Sequence, residues 1–147
     1  MTVHLVKLCV GAESIEDLAR WQTGRIAALK KAGLPPDLYH QTFQTPKRRD
    51  DLLDGGSLYW VIKGVILVRQ RIIDLREGTK EDGSACCHII LDPPLTAVRP
   101  TPRRAFQGWR YLAVDDAPPD DAAVGRKDDR AAMPAKLRRE LAALGLL

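Results

Sequence analysis

The alternation of apolar and polar residues predicts a series of short strands preceded by one early helix. Val3–Val10 is a short apolar run that is typical of a buried strand. Ser14 and Asp17 form a capping pattern that predicts the start of a helix, and Gly33 marks its end. The apolar stripe of this helix recurs at helical spacing and consists of Ile15, Leu18, Ala19, Ile26 and Leu29.

The middle of the chain has the patterns of strands and turns. Ser57–Lys63 alternates between two faces, and Val65–Leu75 continues it as a long β-branched strand. Gly64, between them, indicates a bulge or a close backbone approach. The polar turn Gly78–Gly83 predicts an antiparallel hairpin with Cys86–Leu91. Further strands are predicted at Leu38–Gln44, Leu95–Arg99 and Phe106–Leu112.

These elements predict an α+β fold. We expect a small curved or barrel-like, mostly antiparallel sheet with one N-terminal helix and a short C-terminal helix, because no helices separate the later strands. Residues 1–114 would form a single globular domain, and residues 115–132 a polar linker with few large apolar groups. Residues 133–147 have the leucine spacing of an amphipathic helix.

Composition narrows the class of protein. No apolar run approaches the roughly 20 residues that span a bilayer, and the N-terminal residues lack a secretory pattern, so we expect a cytoplasmic protein. The cysteines Cys9, Cys86 and Cys87 are odd in number and have no C-x-x-C spacing, which favours reduced thiols over a disulfide framework. Cys86 and His88 share a strand face, but no second pair of ligands accompanies them. We therefore predict no metal and no cofactor.

Positive charge is concentrated in two segments. The chain has a net charge of +4. Residues 46–76 contain seven Lys or Arg against four Asp, and residues 95–112 contain four Arg and no acid. Such asymmetry is typical of a surface that binds an anion.

Arg69 and Arg71 are conspicuous because two arginines share one face of a strand among apolar residues such as Leu67. Two interpretations are open. The face is solvated or its arginines pair with acids such as Asp74, or the arginines form a floor that binds phosphate or carboxylate.

The late aromatic residues also allow two interpretations. In a strand, Trp109 and Tyr111 would share one face, with Arg110 opposite. The two rings are either part of the core, as aromatics usually are, or a platform on which bases stack while arginines bind phosphates.

At three strings the chain resembles a family of bacterial proteins known as domain of unknown function 1489. These strings are HLVKLCVG, PKRRDDLLDGGSLYWVIKGVILVRQRI and PRRAFQGWRYL, and the resemblance extends from about Thr2 to Pro118. The family implies no activity. The chain is more distantly similar to PUA-like barrels, which include RNA-binding domains. Lys63-Gly64 with Arg69 or Arg71 partly matches a lysine–glutamate–arginine string of one PUA-like branch, but the acid is missing.

Our leading hypothesis is binding of RNA or of single-stranded nucleic acid by arginines and aromatic rings. The rival is a small enzyme acting on an anionic metabolite or modified nucleotide, with Lys63 or His88 as acid or base. A third is a protein-interaction module that binds through its C-terminal helix. We predict no membrane partner. The predicted binding residues are Lys63, Arg69, Arg71, Arg103, Arg104, Trp109, Arg110 and Tyr111, with Tyr59 and Trp60 as further candidates for stacking.

Overall fold

A computed structural model describes residues 1–104 and 106–121. Within them the chain forms seven strands, two α-helices and one turn of 3-10 helix. The strands are β1 (His4–Leu8), β2 (Leu38–Thr42), β3 (Ser57–Ile62), β4 (Val65–Thr79), β5 (Ala85–Leu91), β6 (Thr96–Pro102) and β7 (Trp109–Leu112). The helices are α1 (Ile15–Lys31), α2 (Arg49–Leu53) and the 3-10 turn Val114–Asp116.

The strands belong to one mixed sheet. Its order is β2-β5-β4-β3-β1-β7, and β6 pairs with the first half of β4. Every pairing is antiparallel except that of β1 with β3, which is parallel. The α+β class and the mostly antiparallel sheet are therefore confirmed. Backbone pairing does not close the sheet into a barrel in the described part of the chain.

The turn at Gly64 differs from the sequence-based interpretation. Lys63 and Gly64 both have positive φ, +50° and +80°, which is the backbone of a tight two-residue hairpin loop. The strand therefore reverses here instead of continuing, and β3 pairs antiparallel with β4.

Bulges in β4 change which of its residues share a face. Trp60 pairs with Val68 and Val61 with Ile66, which leaves Leu67 as an extra residue. The predicted common face for Arg69 and Leu67 is thus wrong, because a bulge shifts the alternation by one position. Leu67 packs in the core beside α1, whereas Arg69 lies opposite Tyr59 and faces the other side of the sheet.

Each face of the sheet carries its own apolar cluster. The larger lies beneath α1, where Leu18 packs with Leu5, Leu58 and Trp60. The smaller lies on the opposite face and includes Val6, Tyr59, Val61, Ile66, Val98 and Leu112. Ser14 begins α1, and its Oγ accepts a hydrogen bond from the N–H of Asp17 at 3.1 Å.

The chain after β7 remains against the sheet up to Asp121. The N–H of Arg99 donates to the carbonyl of Pro119, and the N–H of Asp121 donates to that of Ala97, both at 2.9 Å. The predicted linker starts at residue 115, whereas the structure packs residues 119–121 along β6. The remainder of the linker and the predicted C-terminal helix, residues 133–147, lie outside the described residues.

Candidate functional site

Four arginines between residues 99 and 110 form what we call the basic rim: Arg99, Arg103, Arg104 and Arg110. No acidic side chain pairs with any of them in the part of the chain that the structure describes. The guanidinium carbons of Arg103 and Arg110 lie 5.6 and 5.3 Å from the ring centroid of Phe106. The ring thus holds two cations near each other.

Arginines elsewhere are mostly paired with acids. Arg20 contacts Asp17, Arg48 contacts Asp51, and Arg76 contacts Asp37 and Asp74. Arg49 also binds Asp74. This contrast separates the basic rim from an ordinary charged surface, on which opposite charges are interspersed.

Arg69 and Arg71 differ in their surroundings. Arg69 binds Asp120 through two nitrogens, at 2.7 and 2.8 Å, and donates to Ser57 Oγ at 3.0 Å. Arg69 is thus paired with an acid, as one of the two sequence-based interpretations allowed, but the acid is Asp120 and not Asp74. The Arg71 side chain is exposed and forms no ion pair within the described residues. Only Arg71 of the two is thus available to an external anion.

Trp109 and Tyr111 lie on the face of the sheet that carries the larger apolar cluster, in agreement with the interpretation that the two rings are part of the core. Both pack against the cluster beneath α1, with their ring centroids 4.8 Å apart. The indole N–H of Trp109 donates to the carbonyl of Gln44 at 2.9 Å. The Tyr111 hydroxyl accepts from the N–H groups of Lys47 and Arg48, at 2.9 and 3.1 Å. These bonds link β7 to the loop after β2, so the two rings join the open edges of the sheet.

Tyr59 and Trp60 are not available to stack on an open surface. Their exposed fractions are 4% and 2%. Trp60 donates its indole N–H to Gln70 Oε1 at 2.8 Å, and the amides of Gln70 and Gln22 bond to each other at 2.8 Å. This buried network fixes the Trp60 ring between β3 and α1.

The two groups considered as acid or base lie in different places. Lys63 lies at the tip of the β3–β4 hairpin, and its Nζ is 3.7 Å from Oε2 of Glu13. His88 stacks on Tyr39 with centroids 4.2 Å apart, its Nε2 has no partner among the described residues, and burial lowers its pKa. No contact joins His88 to the basic rim in the described structure, so His88 is not brought together with these arginines.

One end of the sheet does gather several of the predicted residues. The N–H of Arg103 donates to the carbonyl of Gly64 at 2.8 Å, which places this part of the basic rim at the β3–β4 hairpin. At the same end of the sheet the N–H of Cys9 donates to the carbonyl of Val61 at 2.8 Å, and Lys63 contacts Glu13. The loop that leads from β1 to α1 is therefore a neighbour of the basic rim.

A pocket of about 340 Å³ opens beside this loop. Its walls are mainly apolar and aromatic. We call it the indole pocket, because two tryptophans line it; the lining residues are Cys9, Val10, Gly11, Ala12, Asp17, Leu18, Trp21, His40 and Trp60. A cavity of this size is at the lower end of the range of about 300–1,000 Å³ that is typical for small-molecule sites.

His40 is the distinctive polar group of the indole pocket. Burial, together with the positive charges of Lys7 and Arg25, lowers the pKa of His40 to about 4. The imidazole is therefore neutral near pH 7. Its ring meets Trp60 edge-on with centroids 5.0 Å apart, and its buried Nε2 has no hydrogen-bond partner among the described residues.

Lys7 and Cys9 complete the surroundings of His40. Burial lowers the pKa of Lys7, and its ammonium group has no ion pair or hydrogen bond within the described residues. Burial raises the pKa of Cys9 to about 11, so its sulfur is a protonated thiol and a poor nucleophile. The pocket thus combines apolar walls, a neutral imidazole and two nearby cations, Lys7 and Arg25, the latter with its guanidinium carbon 5.2 Å from the ring centroid of Trp21.

Sequence reasoning missed Lys7 and His40. One signal was present for Lys7, because it has the same parity as Val3 and Leu5 in a strand predicted to be buried, where a charge is unusual. His40 gave no comparable signal. Its neighbours in space, Lys7 and Trp60, are far from it along the chain.

The titration of His40 predicts a pH-dependent stability. The unfolded state takes up a proton on His40 as the pH falls below 6.5, whereas the folded state does so only near pH 4. Stability is therefore lost as the pH falls through this window, by about 2 kcal/mol between pH 7 and pH 5 for this group. We expect His40→Gln to remove about that much of the difference between urea unfolding free energies at pH 7 and pH 5.

A matched control for this experiment is His88→Gln. Burial lowers the pKa of His88 too, but by a smaller shift than that of His40, so His88→Gln should change the pH dependence less. If the stability of His40→Gln depended on pH as strongly as that of the wild type, the attribution of this effect to His40 would be contradicted.

Two general properties bear on the class of site. Within residues 1–104 and 106–121, no three His, Cys, Asp or Glu side chains lie together as potential metal ligands. No helix in those residues is both long and apolar enough to cross a membrane.

Comparison with known proteins gives a family but no activity. A family model described as a protein of unknown function, DUF1489, matches residues 5–147. No curated protein and no solved structure matches the chain significantly. The resemblance to PUA-like barrels therefore has no support from these comparisons.

Proposed function

We propose that this chain, which belongs to the DUF1489 family, binds single-stranded nucleic acid through the basic rim. The observation that carries the proposal is the absence of acidic partners for Arg99, Arg103, Arg104 and Arg110 in the described structure, while five other arginines are paired with acids. Unpaired guanidinium groups match the geometry of phosphate oxygens and release counterions when a strand binds.

The surroundings of the basic rim favour a flexible strand over a rigid duplex. Arg103 and Phe106 lie in the connection between β6 and β7, and Arg110 of β7 also lies beside the Phe106 ring. No helix among the described residues extends from this region to enter a major groove. Because Trp109 and Tyr111 are hydrogen-bonded to the β2–α2 loop, the arginine planes themselves are the groups on which unpaired bases would stack.

The test is fluorescence anisotropy of labelled single-stranded RNA and DNA at several salt concentrations. We expect the Arg103→Ala/Arg104→Ala double variant to bind at least about tenfold more weakly at low salt. Its slope of log affinity against log salt should fall by about 1.4, because each lost phosphate contact on a single strand contributes about 0.7.

The matched control is Arg20→Ala/Arg76→Ala. It removes the same charge from exposed arginines that are already paired with acids. It should bind nearly as tightly as the wild type. Equal losses in the two double variants would indicate a general charge effect, and the absence of binding at low salt would refute the proposal.

A further inference from the structure

We propose that the indole pocket binds a planar heteroaromatic ring that carries a negative charge, the chemistry of a nucleotide. This inference goes beyond the proposed function, since no arginine of the basic rim lines the pocket. It also stands independently, since a free nucleotide can occupy the pocket whether or not a strand binds at the rim.

The shape and the walls of the indole pocket select a single ring system. Its volume of about 340 Å³ excludes large ligands. Trp60 forms a buried wall that its bond to Gln70 holds in place, and Trp21, 53% exposed, stands at the open side. Indole rings favour stacked or edge-on contact with another planar ring.

His40 indicates that the ring is heteroaromatic and not a hydrocarbon. His40 lines the indole pocket with an imidazole that is neutral near pH 7. A neutral imidazole has one donor and one acceptor nitrogen. A ring with its own N–H, carbonyl or ring nitrogen complements it, whereas a hydrocarbon does not.

The charge of the ligand follows from Lys7 and from the position of the pocket. The ammonium of Lys7 lies near enough to His40 and Cys9 to affect their titration, and no carboxylate neutralises it in the described structure. The one acid lining the pocket, Asp17, is already bonded to Arg20 and to the N–H of Glu13. An anionic substituent on the ring is therefore favoured over a cationic one.

The indole N–H resonances provide a direct test by NMR. The chain has three tryptophans, so a ¹⁵N-labelled sample gives three indole signals. Titration with the four nucleoside monophosphates should shift the Trp21 and Trp60 signals saturably at millimolar concentration or below for at least one of them. Trp109, which bonds to Gln44 and does not line the pocket, should shift little.

Variants and partial ligands make the result specific. Trp21→Ala should weaken binding about tenfold, as expected for the loss of one stacking ring. Phe43→Ala, which removes another exposed aromatic outside the pocket, should leave it unchanged. Ribose 5-phosphate should not shift the two signals, and the uncharged nucleoside should bind more weakly than the nucleotide.

The outcomes separate the possible sources of the ring. If a trinucleotide shifts the same two signals at lower concentration than the monophosphate, the ring belongs to a strand, and in the opposite case it belongs to a free nucleotide. The inference is overturned if no nucleotide produces a saturable shift, if ribose 5-phosphate alone reproduces the shift, or if Trp21→Ala binds like the wild type. None of these results depends on the arginine variants of the basic rim.

Discussion

Gly56→Ala is expected to destabilise the fold by about 3 kcal/mol or more. A Cβ atom at position 56 would lie 2.4 Å from the carbonyl oxygens of both Leu52 and Val3. Both oxygens belong to the backbone, so no side chain can move to make room. Relief requires the end of α2 and the start of β1 to separate, which is the overpacking that produces the larger effects of single substitutions.

The close approach at Gly56 also supports the site. Its N–H donates to the carbonyl of Leu52 at 2.9 Å, and its carbonyl accepts from Ile72 at 3.0 Å. Residue 56 therefore joins α2, β1 and β4 immediately before β3, which carries Trp60.

Urea unfolding of Gly56→Ala measures the effect, and Gly24→Ala is the matched control. A Cβ at Gly24 meets no atom within 4 Å in the interior of α1, so the same substitution there should stabilise by about 0.5–1 kcal/mol. The two glycine-to-alanine substitutions should thus change the free energy of unfolding in opposite directions. A Gly56→Ala protein as stable as the wild type would show that the backbone yields easily at this point.

Gln70→Met is expected to destabilise by about 3 kcal/mol. The substitution retains the approximate shape of the side chain but removes every hydrogen bond of its amide. It leaves the indole N–H of Trp60 and both ends of the buried Gln22 amide without a partner. Each buried polar group left unsatisfied contributes about 1–3 kcal/mol, more than the net value of the bond itself.

A double-mutant cycle isolates this network. Gln22→Met/Gln70→Met removes both amides, so the Gln22 amide is no longer an unsatisfied group. The Trp60 N–H and the carbonyls of Asp92 and Pro93 lose the same bonds as in Gln70→Met alone. We expect the double variant to be less destabilised than the sum of the two single variants, by about 1 kcal/mol or more. Additive effects, or a Gln70→Met protein within about 0.5 kcal/mol of the wild type, would contradict the role that the structure assigns to Gln70.

The Gln70 network also connects stability to the indole pocket. Gln22 directly follows Trp21 in α1, and Gln70 bonds to both Gln22 and the Trp60 indole, so this network ties together the two tryptophans of the pocket walls. In the Gln70→Met variant we expect the ring of Trp60 to lose its fixed orientation, because its only hydrogen bond among the described residues is gone.

The late aromatics illustrate how a functional signal and a structural one can look alike in sequence. Trp109, Arg110 and Tyr111 have the composition of a nucleic-acid surface. In the structure the two rings bridge the open edges of the sheet through bonds to Gln44, Lys47 and Arg48, more than sixty positions earlier. Alternation placed Trp109 and Tyr111 on a common face, but it carried no information about what that face meets.

Several properties of the chain were determined by local sequence. The mostly antiparallel α+β class followed from the period of apolar residues, which reflects the geometry of each element alone. The concentration of arginine between residues 95 and 112, with no acid in the same segment, is likewise a property of the amino-acid sequence by itself. These properties depend on residues that are close together along the chain.

Tertiary structure decided which of those residues remain free and what they surround. Arg69 is neutralised by Asp120, 51 positions later, and the indole pocket joins Cys9, Trp21, His40 and Trp60 from four separate segments. The bulge at Leu67 moved the β4 residues that follow it to the opposite face of the sheet from the one that simple alternation predicts. Ion pairs and cavities are set by distances between segments that pack together, and those distances depend on the pairing of strands and the docking of α1, not on local propensity.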